Sequence, residues 1–181
     1  MATTNPLQAA LQAAVDDGAF PGAVLAVRLR GTLIYEGAVG RLSPQIPGEG
    51  VTIHTCYDLA SLTKVLATTT ALLLLLQRGK LALEDRILIA LQGSAAGAAS
   101  IHQLLTHSSG LPGWRPYYER LASLEAGQSG FPGRTAAREA VLGYIAQEAL
   151  VYERGSRSLY SDLGFMLLGW AVERLAGESL D

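Results

Sequence analysis

The chain has 181 residues, 49% of them hydrophobic, and a formal net charge of −2 with the two signs interspersed. That length and apolar fraction fit one globular domain with an ample core, and the lack of any basic run excludes a nucleic-acid or anionic-membrane surface and favours a small partner. The single cysteine, Cys56, excludes an intramolecular disulfide framework.

Residues 1 to 18 show no positively charged region and no compact apolar core ahead of a cleavage site, so no signal peptide is visible and a cytoplasmic protein is expected. Leu7, Ala10, Leu11, Ala14 and Val15 recur at helical spacing over residues 6 to 17, and Asp16-Asp17-Gly18 closes that helix. Residues 23 to 30 and 32 to 39 are rich in Val, Leu and Ile around an Arg30-Gly31 turn and read as a β-hairpin. They are the only two confident strands, and a lone hairpin is marginal in water, leaving an edge of unpaired N–H and C=O groups for another chain. A Pro/Gly-rich loop follows at 42 to 50. Cys56 is expected as a small buried hydrophobe before the next helix, with Asp58 as its N-cap.

That helix carries the chemistry. Ser61 and Lys64 are three residues apart, a spacing that puts two side chains on one helical face with about 5–6 Å between Cβ atoms. A desolvated lysine can lose its charge and accept a serine proton, whereas arginine never deprotonates in a protein. Twelve of the fourteen basic residues are arginine, which makes the placing of Lys64 pointed. With twelve serines and two lysines, the spacing still arises by chance in about one chain in eight, so it needs support. Residues 65 to 76 continue as an apolar core helix, shorter than the ~20 residues a membrane span needs, and it stops near Gly79.

Residues 80 to 89 read as a link with solvated Glu84 and Asp85, and residues 93 to 100 as a small-residue loop. A helical turn over 101 to 106 ends in His107-Ser108-Ser109-Gly110-Leu111-Pro112, where His107 reads as a helix-end residue bonding backbone carbonyls rather than a general base. No His or Cys cluster has metal-ligand spacing, so neither metal nor cofactor is implied. Residues 113 to 134 hold Trp114, Tyr117, Tyr118 and Phe131 among glycines and prolines. Two readings of these aromatics stay open, lining a substrate pocket, for which Trp114 and Tyr117 are the candidates, or covering a core edge. Further helices are expected over 117 to 125, 136 to 149 and 163 to 175, the last closing at Gly177.

Two separated phrases then fit one pattern. Ser61-Leu62-Thr63-Lys64 at a helix start and, about a hundred residues on, Tyr160-Ser161-Asp162 before a helix resemble the active-site serine penicillin-recognising superfamily. The chain is most similar there to class C beta-lactamases, D-alanyl-D-alanine carboxypeptidases and family VIII esterases. Leu104 to Pro112 and Tyr160 to Phe165 extend the likeness across roughly residues 6 to 178. The resemblance implies an α+β, beta-lactamase/transpeptidase-like fold, one domain in which residues 1 to 60 give a helix, hairpin and lead-in and residues 61 to 181 a helical subdomain. It implies Ser61 as the nucleophile forming an acyl-enzyme on a small ester or amide, Lys64 as its proton acceptor or tuner, Tyr160 as proton relay to the leaving group, and the Ser61 N–H as an oxyanion donor.

Two departures matter. Asp162 stands where the family pattern has Asn, so an ionised carboxylate there accepts but does not donate a hydrogen bond, and it favours a charged Lys64. That predicts a tilt toward esters over lactams. The family's late Lys- or His-led triplet ending in Gly is absent, and with it the strand that supplies a second oxyanion donor and completes an antiparallel sheet. We therefore expect an incomplete sheet, impaired activity of a truncated chain, and a second chain or self-association to complete it; the competing expectation is a non-catalytic assembly module.

Overall fold

The computed structural model describes residues 5–45, 48–87, 91, 94–125 and 134–180. Phe131 of the aromatic loop, the end of the 80 to 89 link and Asp181 lie outside the described residues. The chain divides into two compact units, Met1–Asp58 and Leu59–Asp181.

In the first unit, α1 (Pro6–Asp16) opens with Pro at its first position and the Asn5 side chain accepting the Leu7 N–H, which satisfies one of the orphan donors of a helix start. The antiparallel hairpin pairs β1 (Gly22–Leu29) with β2 (Thr32–Gly40), from Gly22 opposite Gly40 to Val27 opposite Tyr35 and, after a one-residue register shift between Val27 and Arg28, on to Leu29 opposite Thr32. Arg30 and Gly31 both have positive φ, the mirror-image turn whose twist matches that of paired strands. Tyr35 and Val39 are buried, and the Tyr35 hydroxyl donates to Gln8 of α1. A Cβ on Gly37 would overlap the Tyr35 ring, so glycine there is what lets the ring lie along the strand and reach α1. Cys56 is exposed, contrary to the buried position expected; it sits in a stretch after residue 54 that belongs to no helix or strand.

The second unit is helical. Its helical residues begin at Leu62, so Asp58 is not the cap, and the first part, Lys64–Thr69, is π-helical before α2 (Thr70–Gln77) takes over. The threonines explain the change of pitch. Thr69 and Thr70 donate their hydroxyls to the carbonyls of Lys64 and Val65, five residues back, and such side-chain bonds compete with the regular ladder. The run 65 to 76 is not buried throughout as expected: Thr68, Leu72 and Leu75 are buried, whereas Val65, Leu66, Leu73 and Leu74 are exposed.

Ala96–Ala98 form a single 3-10 turn with Ala96 and Ala99 buried. α3 (Ile101–Leu105) starts in a capping box, the Ser100 side chain accepting the Gln103 N–H and the Gln103 side chain accepting the Ser100 N–H. α4 (Tyr117–Glu125) and α5 (Arg134–Ala146) follow, and α6 (Asp162–Ala176) ends at Gly177 in the left-handed conformation. α6 is the core helix, burying Leu163, Gly164, Phe165, Leu167, Leu168, Ala171 and Val172 against Leu72, Leu104 and Ile145 among others. Arg138 of α5 and Glu173 of α6 form an ion pair across that packing. Among the described residues no helix is long and apolar enough to cross a membrane.

Candidate active site

Ser61 occupies the turn just ahead of the helix, following Ala60 at φ 44°, a left-handed position that costs an alanine roughly 1–2 kcal/mol. The Leu62, Thr63 and Lys64 amides bond the carbonyls of Leu59, Ala60 and Ser61, a tight turn that delivers Ser61 beside Lys64. The Lys64 Nζ donates to Ser61 Oγ at 3.1 Å and to Asp162 Oδ1 at 2.6 Å. Both ends of the ion pair are largely sheltered, with side-chain exposures of 16% and 29%.

The electrostatics follow from these contacts. Burial by itself would lower the Lys64 pKa, but the hydrogen bond and charge of Asp162, helped by Tyr160, outweigh it and hold the amine above its ordinary value. That environment favours the charged amine. Tyr160 moves the other way: hydrogen bonding with Lys64, then with Ser61, holds its phenol below the usual tyrosine value. The Lys64 ammonium also lies 5.0 Å from the Tyr160 ring centroid. Serine, lysine, tyrosine and aspartate thus form one cluster in the second unit.

Two chain segments hold this cluster in place. Residues 106 to 113 run beside residues 151 to 162, joined by Val151 N–H to Gly110 O, Gly155 N–H to Ser108 O, Leu159 N–H to His107 O and Asp162 N–H to Gly113 O. Gly110 is required there: φ is +86°, and a Cβ would press against the Tyr152 carbonyl. Ser161 is buried at the N-cap of α6, its hydroxyl accepting the Gly164 N–H and donating to the Pro112 carbonyl at 2.7 Å. That fixes the backbone between Tyr160 and Asp162. Asp162 stands at the first position of α6, where a carboxylate is favoured by the helix dipole.

His107 departs from its sequence reading. Its side chain does not cap a helix by bonding carbonyls; instead Nδ1 accepts the Ser161 N–H at 3.0 Å, and the ring lies 4.6 Å from the Tyr160 centroid and 5.1 Å from Phe165. The backbone at φ 56° is what turns the imidazole toward residues 160 to 165, while the His107 carbonyl accepts from Tyr152 Oη and Leu159 N–H. Burial, then the nearby Lys64 charge, pushes its pKa below the usual histidine value, with Asp162 opposing. Ser161 is the residue that sequence reasoning passed over, and His107 the one it read as a helix-end group; the signal was their membership of the two family-like phrases.

The two aromatic candidates part company. Tyr117, the first residue of α4, is buried, donates its hydroxyl to Glu148 Oε1 at 2.9 Å and meets the Tyr144 ring of α5 in a tilted contact with centroids 5.6 Å apart, with Arg115 closing the pair on Glu148. Burial, reinforced by Glu148, raises its pKa well above the ordinary value. Of the two readings, it takes the core-covering one. Trp114 is exposed, next to Gly113, whose carbonyl accepts the Asp162 N–H, and its ring is 6.5 Å from that of Tyr118. Among the described residues no group of three or more His, Cys, Asp or Glu side chains is placed to hold a metal.

Comparison with known proteins extends what the geometry suggests. A putative D-alanyl-D-alanine carboxypeptidase of Escherichia coli (strain K12) is 39% identical over 156 residues, covering 81% of this chain and 33% of its own. The N-acetylmuramyl-L-alanine amidase of Bacillus subtilis (strain 168) is 33% identical over 178 residues, covering 90% and 38%. The chain thus spans less than half the length of these relatives. The octameric penicillin-binding protein homologue from Pyrococcus abyssi superposes with a TM-score of 0.73 at 24% identity, over 96% of this chain and 39% of that one, and shows the shared beta-lactamase/transpeptidase-like fold. The Beta-lactamase family model matches residues 7–181, and the chain, with its serine, lysine and tyrosine gathered at one helix start, belongs to the Beta-lactamase family.

Proposed function

We propose that this chain carries the nucleophile half of a serine hydrolase that works through an acyl-enzyme on a small ester or amide. The observation that carries the reading is the Lys64 ammonium bridging Ser61 Oγ and Asp162 Oδ1. With Lys64 held charged, the proton acceptor is Tyr160, whose phenol is eased toward its anion by Lys64. The Tyr160 phenolate takes the Ser61 hydroxyl proton as Oγ bonds to the substrate carbonyl carbon, and the Ser61 N–H at the helix start receives the developing oxyanion. Tyr160 then returns that proton to the departing alcohol or amine as its bond to the carbonyl carbon breaks, leaving the acyl group on Ser61. Water reverses the sequence and releases the acid. Asp162 keeps the cation in place, and Trp114 offers an exposed apolar surface on the Gly113 side for the substrate.

The relatives named for D-alanyl-D-alanine carboxypeptidase and amidase activity support an amide-type acyl donor. Asp162, as an acceptor without a donor, supports esters over lactams. Incubation of the purified chain with a fluorophosphonate probe or a fluorescent penicillin tests the reading: the native chain is labelled and Ser61→Ala is not. Equal labelling of the two forms eliminates Ser61 as nucleophile.

A second reading has its own observation. Leu62, Leu66 and Leu73 lie along the nucleophile helix and are exposed, an apolar stripe that a second copy of the chain would cover. Light scattering on the purified chain checks it: a concentration-dependent dimer that Leu66→Glu dissociates supports a partner-completed assembly, and a monomer at all concentrations contradicts self-association.

A further inference from the structure

We propose that His107 is a positioning residue for Tyr160: its unprotonated Nδ1 holds the Ser161 amide while its ring backs the Tyr160 ring, and together these keep the phenol on Lys64 and Ser61. The proposal rests on the reading of Tyr160 as the proton carrier.

The geometry makes two independent contacts on either side of one peptide. Tyr160 is half exposed, so little packing restrains its ring on the solvent side. His107 supplies the restraint from the inside, with ring centroids 4.6 Å apart, and Phe165 in turn backs His107 at 5.1 Å. The next residue is pinned by the same imidazole, through the 3.0 Å bond from the Ser161 N–H to Nδ1. An amide donor facing Nδ1 requires that nitrogen to be without a proton, so the neutral ring carries its hydrogen on Nε2. A proton on Nδ1 would set two donors against each other and release the peptide between Tyr160 and Asp162. The charged and titratable groups facing the ring are Lys64, Asp162 and Tyr160; the first two act on the imidazole in opposite senses.

His107 is also hard to replace on geometric grounds. At φ 56° a residue without local polar bonding is strained, whereas asparagine tolerates the left-handed region and places its Oδ1 where Nδ1 of histidine lies. His107→Asn therefore keeps the acceptor and the backbone but loses the ring. His107→Phe keeps the ring but loses the acceptor, and His107→Ala loses both.

The experiment follows two signals in the full chain. The first is the tyrosine ring titration by carbon-13 NMR, with Tyr160 assigned from Tyr160→Phe. In the native chain Tyr160 titrates below the ordinary 10.0, in His107→Ala it returns toward that value because the phenol drifts from Lys64 and Ser61, and in His107→Asn it stays lowered. The second is the rate of fluorophosphonate labelling at Ser61, expected to fall ~10²-fold in His107→Ala, as a misplacement of about 1 Å does, and by less than ~10-fold in His107→Asn. Ring nitrogen-15 shifts at neutral pH complete the test, with the proton on Nε2. The proposal is overturned if Tyr160 titrates alike in all forms, if His107→Asn is as slow as His107→Ala, or if Nδ1 carries the proton. Should His107→Ala fail to fold, the phenylalanine and asparagine variants make the same comparison. A native chain that takes no label contradicts the acyl-enzyme reading, while the phenol titration still decides the positioning role.

Discussion

Two helices of the second unit are almost equally apolar in sequence and are used differently. α6 is closed at both ends, by the Ser161 side chain at its N-cap and by Gly177 in the left-handed conformation, and it buries seven residues along its length. The helix that follows Ser61 also ends at a left-handed glycine, Gly79, but lacks the first device: no side chain caps Lys64–Thr69, the pitch changes at Thr70, and Thr68, Leu72 and Leu75 are the residues buried along it. α6 holds the unit together, and the Ser61 helix presents chemistry from its exposed end. The lesson is that an apolar run reports how much surface a helix offers, while the caps and hydroxyl contacts decide where it is pinned.

The largest effect that sharpens this contrast is a paired truncation. Leu168→Ala in α6 is expected to cost about 2–5 kcal/mol in urea unfolding, the range for a fully buried leucine, whereas Leu73→Ala on the exposed face changes stability by no more than about 0.5 kcal/mol. Similar losses at both positions would break the distinction. Next comes the link between the two helices at the site. Asp162→Asn removes the 2.6 Å charge-assisted bond to Lys64 and is expected to cost about 1–3 kcal/mol by the same measurement, since both groups are mostly sheltered. It also takes away the cause that holds the Lys64 amine above its ordinary pKa.

Ser161→Ala removes the α6 cap and leaves the Pro112 carbonyl without its hydroxyl donor, an expected loss of about 0.5–2 kcal/mol that thermal melting reads directly. The smallest effect is a pH dependence. The His107 pKa is lowered by folding, so the unfolded chain binds a proton that the folded one resists as pH falls below 6.5. Stability from this group is present above 6.5 and is lost as pH falls toward the folded value. His107→Asn should flatten that segment of the stability profile, and an unchanged profile would assign the dependence elsewhere.

Much of the frame was legible in the chain. The hairpin could be read from two runs rich in Val, Leu and Ile around Arg30-Gly31, and α6 from its apolar period and closing Gly177, because these depend on neighbours within a few residues. Ser61 and Lys64 were legible as a pair for the same reason, although Ser61 stands in the turn before the helix and not on it. What escaped depends on distant partners. The bond from Ser161 to His107 spans 54 positions and that from Tyr117 to Glu148 spans 31, and no local period announces either. The π-helical stretch escaped because residues 65 to 76 were read as one apolar helix, while the hydroxyls of Thr69 and Thr70 bond carbonyls five residues back. Cys56 was placed by residue type alone, and the irregular stretch that carries it leaves it exposed.

The central claim is that Lys64 stays charged beside Asp162 and that Tyr160 takes the Ser61 proton. The pH dependence of fluorophosphonate labelling at Ser61 tests it most directly, in the native chain and in Tyr160→Phe. The account predicts a labelling rate that climbs with pH through an apparent pKa below the ordinary tyrosine value of 10.0, and the loss of that climb in Tyr160→Phe. An unaltered climb in Tyr160→Phe would contradict it and make another group the base.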